Sequence, residues 1–192
     1  RPMTRAATVT SSASARLDTR RPFTRADALA AGIPASALRG SRFRRIFTGV
    51  YIEARVPEHP LVRARAALLL HPPSAFVSHV SAARVLGLPV PRDPLEHVTV
   101  ASAGDRSKRA GIRCHVGPGD DVIEVQGIRV SGPHRMFVEL ASVLSLVDLV
   151  VVGDALVRTY PIKPREPWSS TVSGAARPTP RRRCGPLRSQ CS

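Results

Sequence analysis

The chain has 192 residues with 29 Lys and Arg against 14 Asp and Glu, a formal net charge of +15. At roughly 100–200 residues per domain, that length allows one domain or two small ones. Hydrophobic residues make up 43% but aromatics only 4%, so the core has to be built from Val, Leu, Ile and Ala. An acidic-substrate cavity or a carboxylate-rich metal cage is poorly supported, whereas a polyanion such as nucleic acid fits the charge.

Residues 1–20 are small and polar, and read as disordered. They have no continuous apolar stretch of secretory type, and position 1 is Arg rather than Met, which makes this end suspect as native sequence. At Thr24 a capping box begins, with Asp27 three residues on, and Ala26, Leu29, Ala30 and Ile33 give a short helix its apolar stripe. Gly32 stops that helix; Pro34 suits the first position of a second one over Ala35–Arg39, which Gly40 ends. Phe43–Ile52 is rich in Phe, Ile, Val and Tyr, and Thr48-Gly49 marks a tight reversal. Helix, turn, helix and hairpin in succession outline a winged helix-turn-helix over 21–57.

Residues 58–158 read as a small mixed α/β domain. A helix around Leu61–Leu69 closes at His71-Pro72-Pro73, and a second, Ser78–Leu86, ends at Gly87. Strands follow at His97–Ala101, Gly111–Val116 and Val122–Val130, then two largely buried helices at Pro133–Leu144 and Leu146–Val157. From Thr159 the pattern collapses into a Pro- and Arg-rich tail holding Cys184, Cys191 and the single Trp168. The tail reads as disordered, or as out-of-frame translation of GC-rich DNA. A further reading makes it an RNA- or membrane-binding arm. The whole is an α+β chain: disordered 1–20, winged helix-turn-helix 21–57, antitoxin-like α/β domain 58–158, tail 159–192.

Charge placement carries more than its sum, because only Lys108 and Lys163 are lysines and an arginine excess also follows from GC-rich coding. Residues 1–60 hold eleven basic and four acidic side chains, 61–160 eleven and nine, and 161–192 seven and one. The excess lies at the two ends.

In a helix-turn-helix the second helix enters the major groove, and the wing and flanking loops touch phosphates. The residues placed for this are Arg25, Ser36, Arg39, Ser41, Arg42, Arg44 and Arg45. Arginine serves both as a bidentate partner of guanine and as a phosphate clamp, and Ser36 is placed to donate to a phosphate oxygen. The loop holding Arg106, Lys108 and Arg109 reads either as a second phosphate contact or as a solvated hairpin tip.

Other constellations read as structural. Three cysteines, Cys114, Cys184 and Cys191, are too scattered for a disulfide framework or a zinc site, and no HExxH, CxxC or clustered His/Cys/Asp set accompanies them. Ser78 and His79 invite a nucleophile–base reading, but neighbours on a helix point to different faces, so a helix-starting Ser beside a partly buried His is expected. Asp148, Asp154 and Glu139 sit singly in apolar helical runs and read as caps or single hydrogen bonds. Gly117–Asp121 reads as a turn. Neither a cofactor nor a metal is expected, and no membrane segment is, since the longest apolar stretch is broken by Ser142, Ser145 and Asp148.

Several ordered motifs together resemble one family. They are RPFTRADALAAGIPASALRGSRFRRIFTGVYI, SHVSAARVLGLPVP, HVTVAS, GIRCHVG, VQGIRVSGPHRMFVELA and VVVGDAL, spread over roughly residues 20–158. The chain resembles an actinobacterial family that pairs an abortive-infection-antitoxin (AbiEi-type) winged-helix N-terminus with a middle α/β region. Many members continue into a domain similar to very-short-patch-repair endonucleases of the PD-(D/E)xK type. Where that family reads Ser-x-x-Arg-Thr-(two apolar)-Asp-Leu-Ala, this chain has Ser131, Arg135, Met136, Glu139, Leu140 and Ala141; after His79, the family's second His or Ser is Val80. The nuclease-like domain needs a carboxylate pair and Lys around a divalent ion, and beyond Val157 the only acidic residue is Glu166.

The basic winged-helix outline, the charge placement and the resemblance together point to a non-enzymatic DNA-binding antitoxin or transcriptional repressor, and the lack of a signal or membrane stretch reads as cytoplasmic. Its partners would be double-stranded DNA, a cognate toxin protein and a second copy of the chain. The alternative expectation is an inactive, truncated remnant of the endonuclease-bearing type.

Overall fold

The computed structural model describes residues 17–160; the expectations for 1–16 and for the tail beyond Tyr160 lie outside them. The first element is a two-residue strand, β1 (Phe23–Thr24), which leads directly into α1 (Arg25–Ala30). The capping box is present: Asp27 N–H donates to Thr24 Oγ1 (3.1 Å), and Thr24 N–H donates to the Asp27 carboxylate (2.9 Å).

The second helix does not form as expected over Ala35–Arg39. In its place is a single 3₁₀ turn, Ala37–Arg39, built on bonds from Ala37 N to Pro34 O, Arg39 N to Ser36 O and Gly40 N to Ala37 O. Between Pro34 and Gly40 there are too few residues to repay helix nucleation, and the Ser36 side chain makes no capping hydrogen bond.

The hairpin is as read: β2 (Phe43–Phe47) and β3 (Val50–Glu53) pair antiparallel, with a bulge between Arg45 and Phe47. β1 adds to the far edge of β3, giving a three-stranded sheet ordered β1-β3-β2. One face of this sheet closes a small apolar core, where Phe23, Phe43 and Tyr51 meet Ala28, Leu38 and Ile33; the Phe23 and Phe43 rings meet edge-on at 5.5 Å. From the hairpin end, Phe47 and Val50 bury themselves with Ala66 and Ala67 of the next helix.

That helix is α2 (Pro60–Leu68). It is followed by β4 (Phe76–Val77), α3 (His79–Val85), β5 (Glu96–Val100) and β6 (Ile112–Val116). The single strand expected at Val122–Val130 is a hairpin, β7 (Val122–Val125) and β8 (Ile128–Ser131). Its two-residue turn places Gln126 at φ 48° and Gly127 at φ 78°, the paired left-handed conformation of a tight hairpin. α4 (Pro133–Ala141) and α5 (Leu146–Thr159) complete the described chain. β1 and β4 have no counterpart in the sequence reading; two residues are too short to show a period.

The second sheet runs β6-β5-β4-β8-β7, with β5/β6 and β4/β8 parallel and β4/β5 and β7/β8 antiparallel. Side chains alternate across it. One face carries two apolar clusters: Val77, Ile128 and Val130 pack with Ala64, Ala82, Ala83, Met136 and Leu140, and Val98, Val100 and Ile112 pack with Phe47, Val50, Ala66 and Ala67. The other face carries Phe76, His97, Thr99, His115 and Ser131. Burial of α5 departs from expectation: Val152 and Leu156 are buried, but Leu146 and Val147 are 77% and 73% exposed. No described helix is long and apolar enough to cross a membrane.

Candidate functional site

The cations expected to meet DNA stand mostly on open surface. Arg25 is the exposed first residue of α1, and its backbone N–H donates to Gly49 O (2.9 Å), which sets it against the β2–β3 turn. Ser36, Arg39, Ser41, Arg42 and Arg45 are exposed on the 3₁₀ turn and along β2. The Arg42 guanidinium lies 5.0 Å over the Phe43 ring. Arg44 differs: it is half-buried and donates to Val56 O (3.2 Å), so its guanidinium is committed to the chain's own backbone. Among the described residues, none of these arginines has a carboxylate within ion-pair distance.

Arg106, Lys108 and Arg109 are exposed too, and they share an open basin of about 580 Å³ with Arg113. A neighbouring hollow of about 220 Å³ is lined by Phe47 and Thr48 of the hairpin together with Lys108 and Arg109. The structure thus brings the β2–β3 turn and the basic loop side by side.

A second site was not legible in the sequence. His79, His97 and His115 converge so that one ring nitrogen of each lies within 4.8 Å of the others. In-register parallel pairing sets Thr99 of β5 beside His115 of β6, and His97 is two residues from Thr99 on the same face. His79 arrives from the start of α3. It is held at φ 51°, a left-handed conformation uncommon for a residue with a side chain, and its N–H donates to the Glu139 carboxylate (3.0 Å). Ser78 is extended (φ −137°, ψ 175°) and lies outside the helix. The argument that Ser78 and His79 face apart therefore fails, and Ser78 Oγ comes within 3.1 Å of His79 Nδ1. Ser78 nevertheless serves as an acceptor for Thr99 Oγ1 (2.8 Å) and is fully buried.

The rings are tightly arranged. His79 and His115 stack at 3.8 Å between centroids, and His115 Nε2 is 3.1 Å from His97 Nδ1. His97 Nε2 is 3.0 Å from Asp93 Oδ2. An ionised carboxylate only accepts, so that contact fixes the proton of neutral His97 on Nε2 and leaves Nδ1 with its lone pair. Around His79, Glu139 accepts from Ser131 Oγ (2.8 Å) and Arg135 Nε (2.7 Å). Arg135 also binds Asp120 and stacks its guanidinium 4.8 Å over Phe76.

All three histidines are biased to the neutral form. Burial pushes His79 and His115 down to about 4; for His79 the carboxylate of Glu139 opposes this, and Arg135 and Arg113 reinforce it. Burial also lowers His97, against the opposing pull of Asp93. Burial would raise Asp93, but hydrogen bonds from Leu95 N–H and His97 outweigh it and hold the carboxyl below its ordinary value.

No family model matches the chain, and no curated protein matches it either.

Asp148 lies in the first turn of α5, where its N–H donates to the hydroxyl of the N-cap Ser145 (3.2 Å), while Asp154 is exposed. Glu139 is not a lone hydrogen-bonding group but the hub between His79, Ser131 and Arg135. Gly117–Asp121 is the irregular connection from β6 to β7, clasped by Arg135, which donates to Pro118 O (2.7 Å).

Proposed function

We propose that the chain is a non-enzymatic, sequence-specific DNA-binding protein of antitoxin or repressor type. It grips the duplex with a reduced winged-helix unit and with the loop beside that unit's hairpin. The observation that carries this reading is the meeting of the β2–β3 turn with Lys108 and Arg109, next to arginines that have no carboxylate partner among the described residues. Arg39 and Ser36 on the 3₁₀ turn supply base contacts; Arg25, Arg42, Arg45 and the Arg106–Arg109 loop supply phosphate contacts. With one helical turn in the groove, backbone charge provides more of the affinity than base readout does. The α/β unit carries the surface for a toxin or a second copy, and the setting is the cytoplasm. The antitoxin part of the assignment rests on the resemblance of the ordered motifs.

The test is a gel shift with duplex from upstream of the gene, titrated over salt. Binding should weaken steeply as salt rises, because each neutralised phosphate releases condensed counterion. Lys108→Ala and Arg109→Ala should each lower the salt slope by about one. The absence of retardation at low salt would overturn the reading.

A further inference from the structure

We infer that His79, His97 and His115 form a site for one divalent transition-metal ion of the zinc class, held by three imidazoles with a fourth position left to water. The site is independent of the DNA reading and uses none of its residues. Three arguments support it.

The first is spacing. Two nitrogens bound at about 2.0–2.1 Å to a tetrahedral ion lie about 3.3 Å apart, and His115 Nε2 and His97 Nδ1 are already 3.1 Å apart. All three donor nitrogens fall within 4.8 Å, and ligation asks that the His79 and His115 rings, stacked at 3.8 Å, turn out of their stack so that their nitrogens point at one ion.

The second is the outer shell. A metal-bound imidazole characteristically gives its other N–H to a carboxylate or another acceptor, which fixes the tautomer and raises ligand basicity. His97 has this partner in Asp93, on the nitrogen opposite the cluster. His79 has Ser78 and Glu139 about its Nδ1, at 3.1 and 3.8 Å, which leaves Nε2 as its ligand atom.

The third is access and choice of ion. His97 is fully buried, but His79 is 8% exposed and His115 is half-buried, so the cluster opens to solvent on one side. An all-imidazole set suits zinc, copper, nickel or cobalt and is poor for the oxygen-seeking magnesium and calcium. Glu139 is not the fourth ligand, because both its oxygens are occupied by His79 N–H, Ser131 and Arg135.

The experiment strips the full chain with chelator, titrates Co²⁺ alone while following visible absorption, then displaces it with Zn²⁺ alone in a calorimeter. One ion per chain should bind, with the intense visible bands of tetrahedral cobalt, and Zn²⁺ should bleach them. Zn²⁺ should also raise the melting temperature of the native chain, because it binds only the folded form. His115→Ala, the change at the most accessible ring, should abolish the bands and the thermal shift. Asp93→Asn keeps all three ligands, and should weaken affinity about 10–100-fold. Failure of the native chain to take up either ion would overturn the site. So would His115→Ala binding as tightly as the native chain, since the ion would then sit elsewhere. If His115→Ala does not fold, Asp93→Asn decides, and unchanged affinity there counts against the assignment.

Discussion

Arginine does opposite work in the two regions of this molecule. In the α/β unit, Arg63 and Arg84 clamp the buried Glu96 carboxylate at 3.1 and 3.0 Å, and Arg135 joins Glu139 and Asp120 at 2.7 Å each. In the hairpin-bearing unit Arg25, Arg39, Arg42 and Arg45 reach no carboxylate. The cores differ in the same sense. Every buried polar side chain among the described residues (Ser78, His79, Ser81, Glu96, His97, Thr99 and Ser131) belongs to the α/β unit, while Phe23, Ala28, Leu38 and Phe43 close an entirely apolar core around α1. Net charge therefore misdescribes both regions: Arg63, Arg84 and Arg135 are structural members, whereas Arg25, Arg39, Arg42 and Arg45, with the exposed Arg106–Arg109 loop beside their hairpin, are available to an external polyanion.

Glu139→Ala is the strongest way to break that contrast. It leaves the Ser131 hydroxyl and the His79 N–H without their acceptor, at about 1–3 kcal/mol for each unsatisfied buried donor, while Arg135 keeps Asp120 and the Pro118 carbonyl. Urea unfolding should show a midpoint loss of that order. A loss within 0.5 kcal/mol would mean that the α/β unit's ion pairs are no more structural than the arginines of the N-terminal unit. Acid makes the same break more gently. His79 and His115 hold neutral to about 4 in the fold against the ordinary 6.5. Between those values the unfolded chain binds protons that the folded chain refuses, so the histidine contribution lowers stability as pH drops from 6.5 to about 4. Melts in the presence of chelator should show this slope, and His115→Gln should make it shallower while His79 and His97 keep the remainder.

Arg39→Ala tests the other side. It should cost about 1–3 kcal/mol of binding to its own operator and, being exposed and unpaired, leave stability within about 0.5 kcal/mol. Parallel gel shifts and melts check both numbers. A variant that melts early would place Arg39 with the structural arginines.

Much of the fold was readable, and the reason for each gap is physical. The capping box at Thr24, the turn at Thr48-Gly49 and the strands at β5 and β6 depend on local chemistry, so local pattern reveals them. The alternation His97-x-Thr99 and Arg113-x-His115 even places each pair on one face of its strand. What no local pattern contains is the parallel register that sets Thr99 beside His115, or the two-residue β4 that delivers Ser78 and His79 to the same face. The histidine site is thus a product of long-range pairing, with a gap of 18 residues between each ring and the next. The arginine surface was legible because the basic residues are contiguous in sequence. Even so, Arg44 turned inward and the expected second helix shrank to one turn, since neither burial of a guanidinium nor a nucleation failure is marked by residue type.

Thr24→Ala gives the smallest effect and the finest separation of the two regions. Loss of an N-cap hydroxyl costs about 1 kcal/mol, and here the reciprocal bond from Thr24 N–H to Asp27 survives. α1 is only Arg25–Ala30, so the change frays a single short element. Its consequence reaches the hairpin turn, because Arg25 N–H bonds Gly49 O from the first position of that helix. Nothing in α1 touches the histidine cluster, which is built on α3, β5 and β6. Thr24→Ala should therefore weaken duplex binding measurably at moderate salt while leaving Co²⁺ affinity at native strength. Equal loss of both would mean that the small core around Phe23 and the polar face of the second sheet fold as one cooperative unit, and the division of labour between the two sets of arginines would then be one of surface exposure alone.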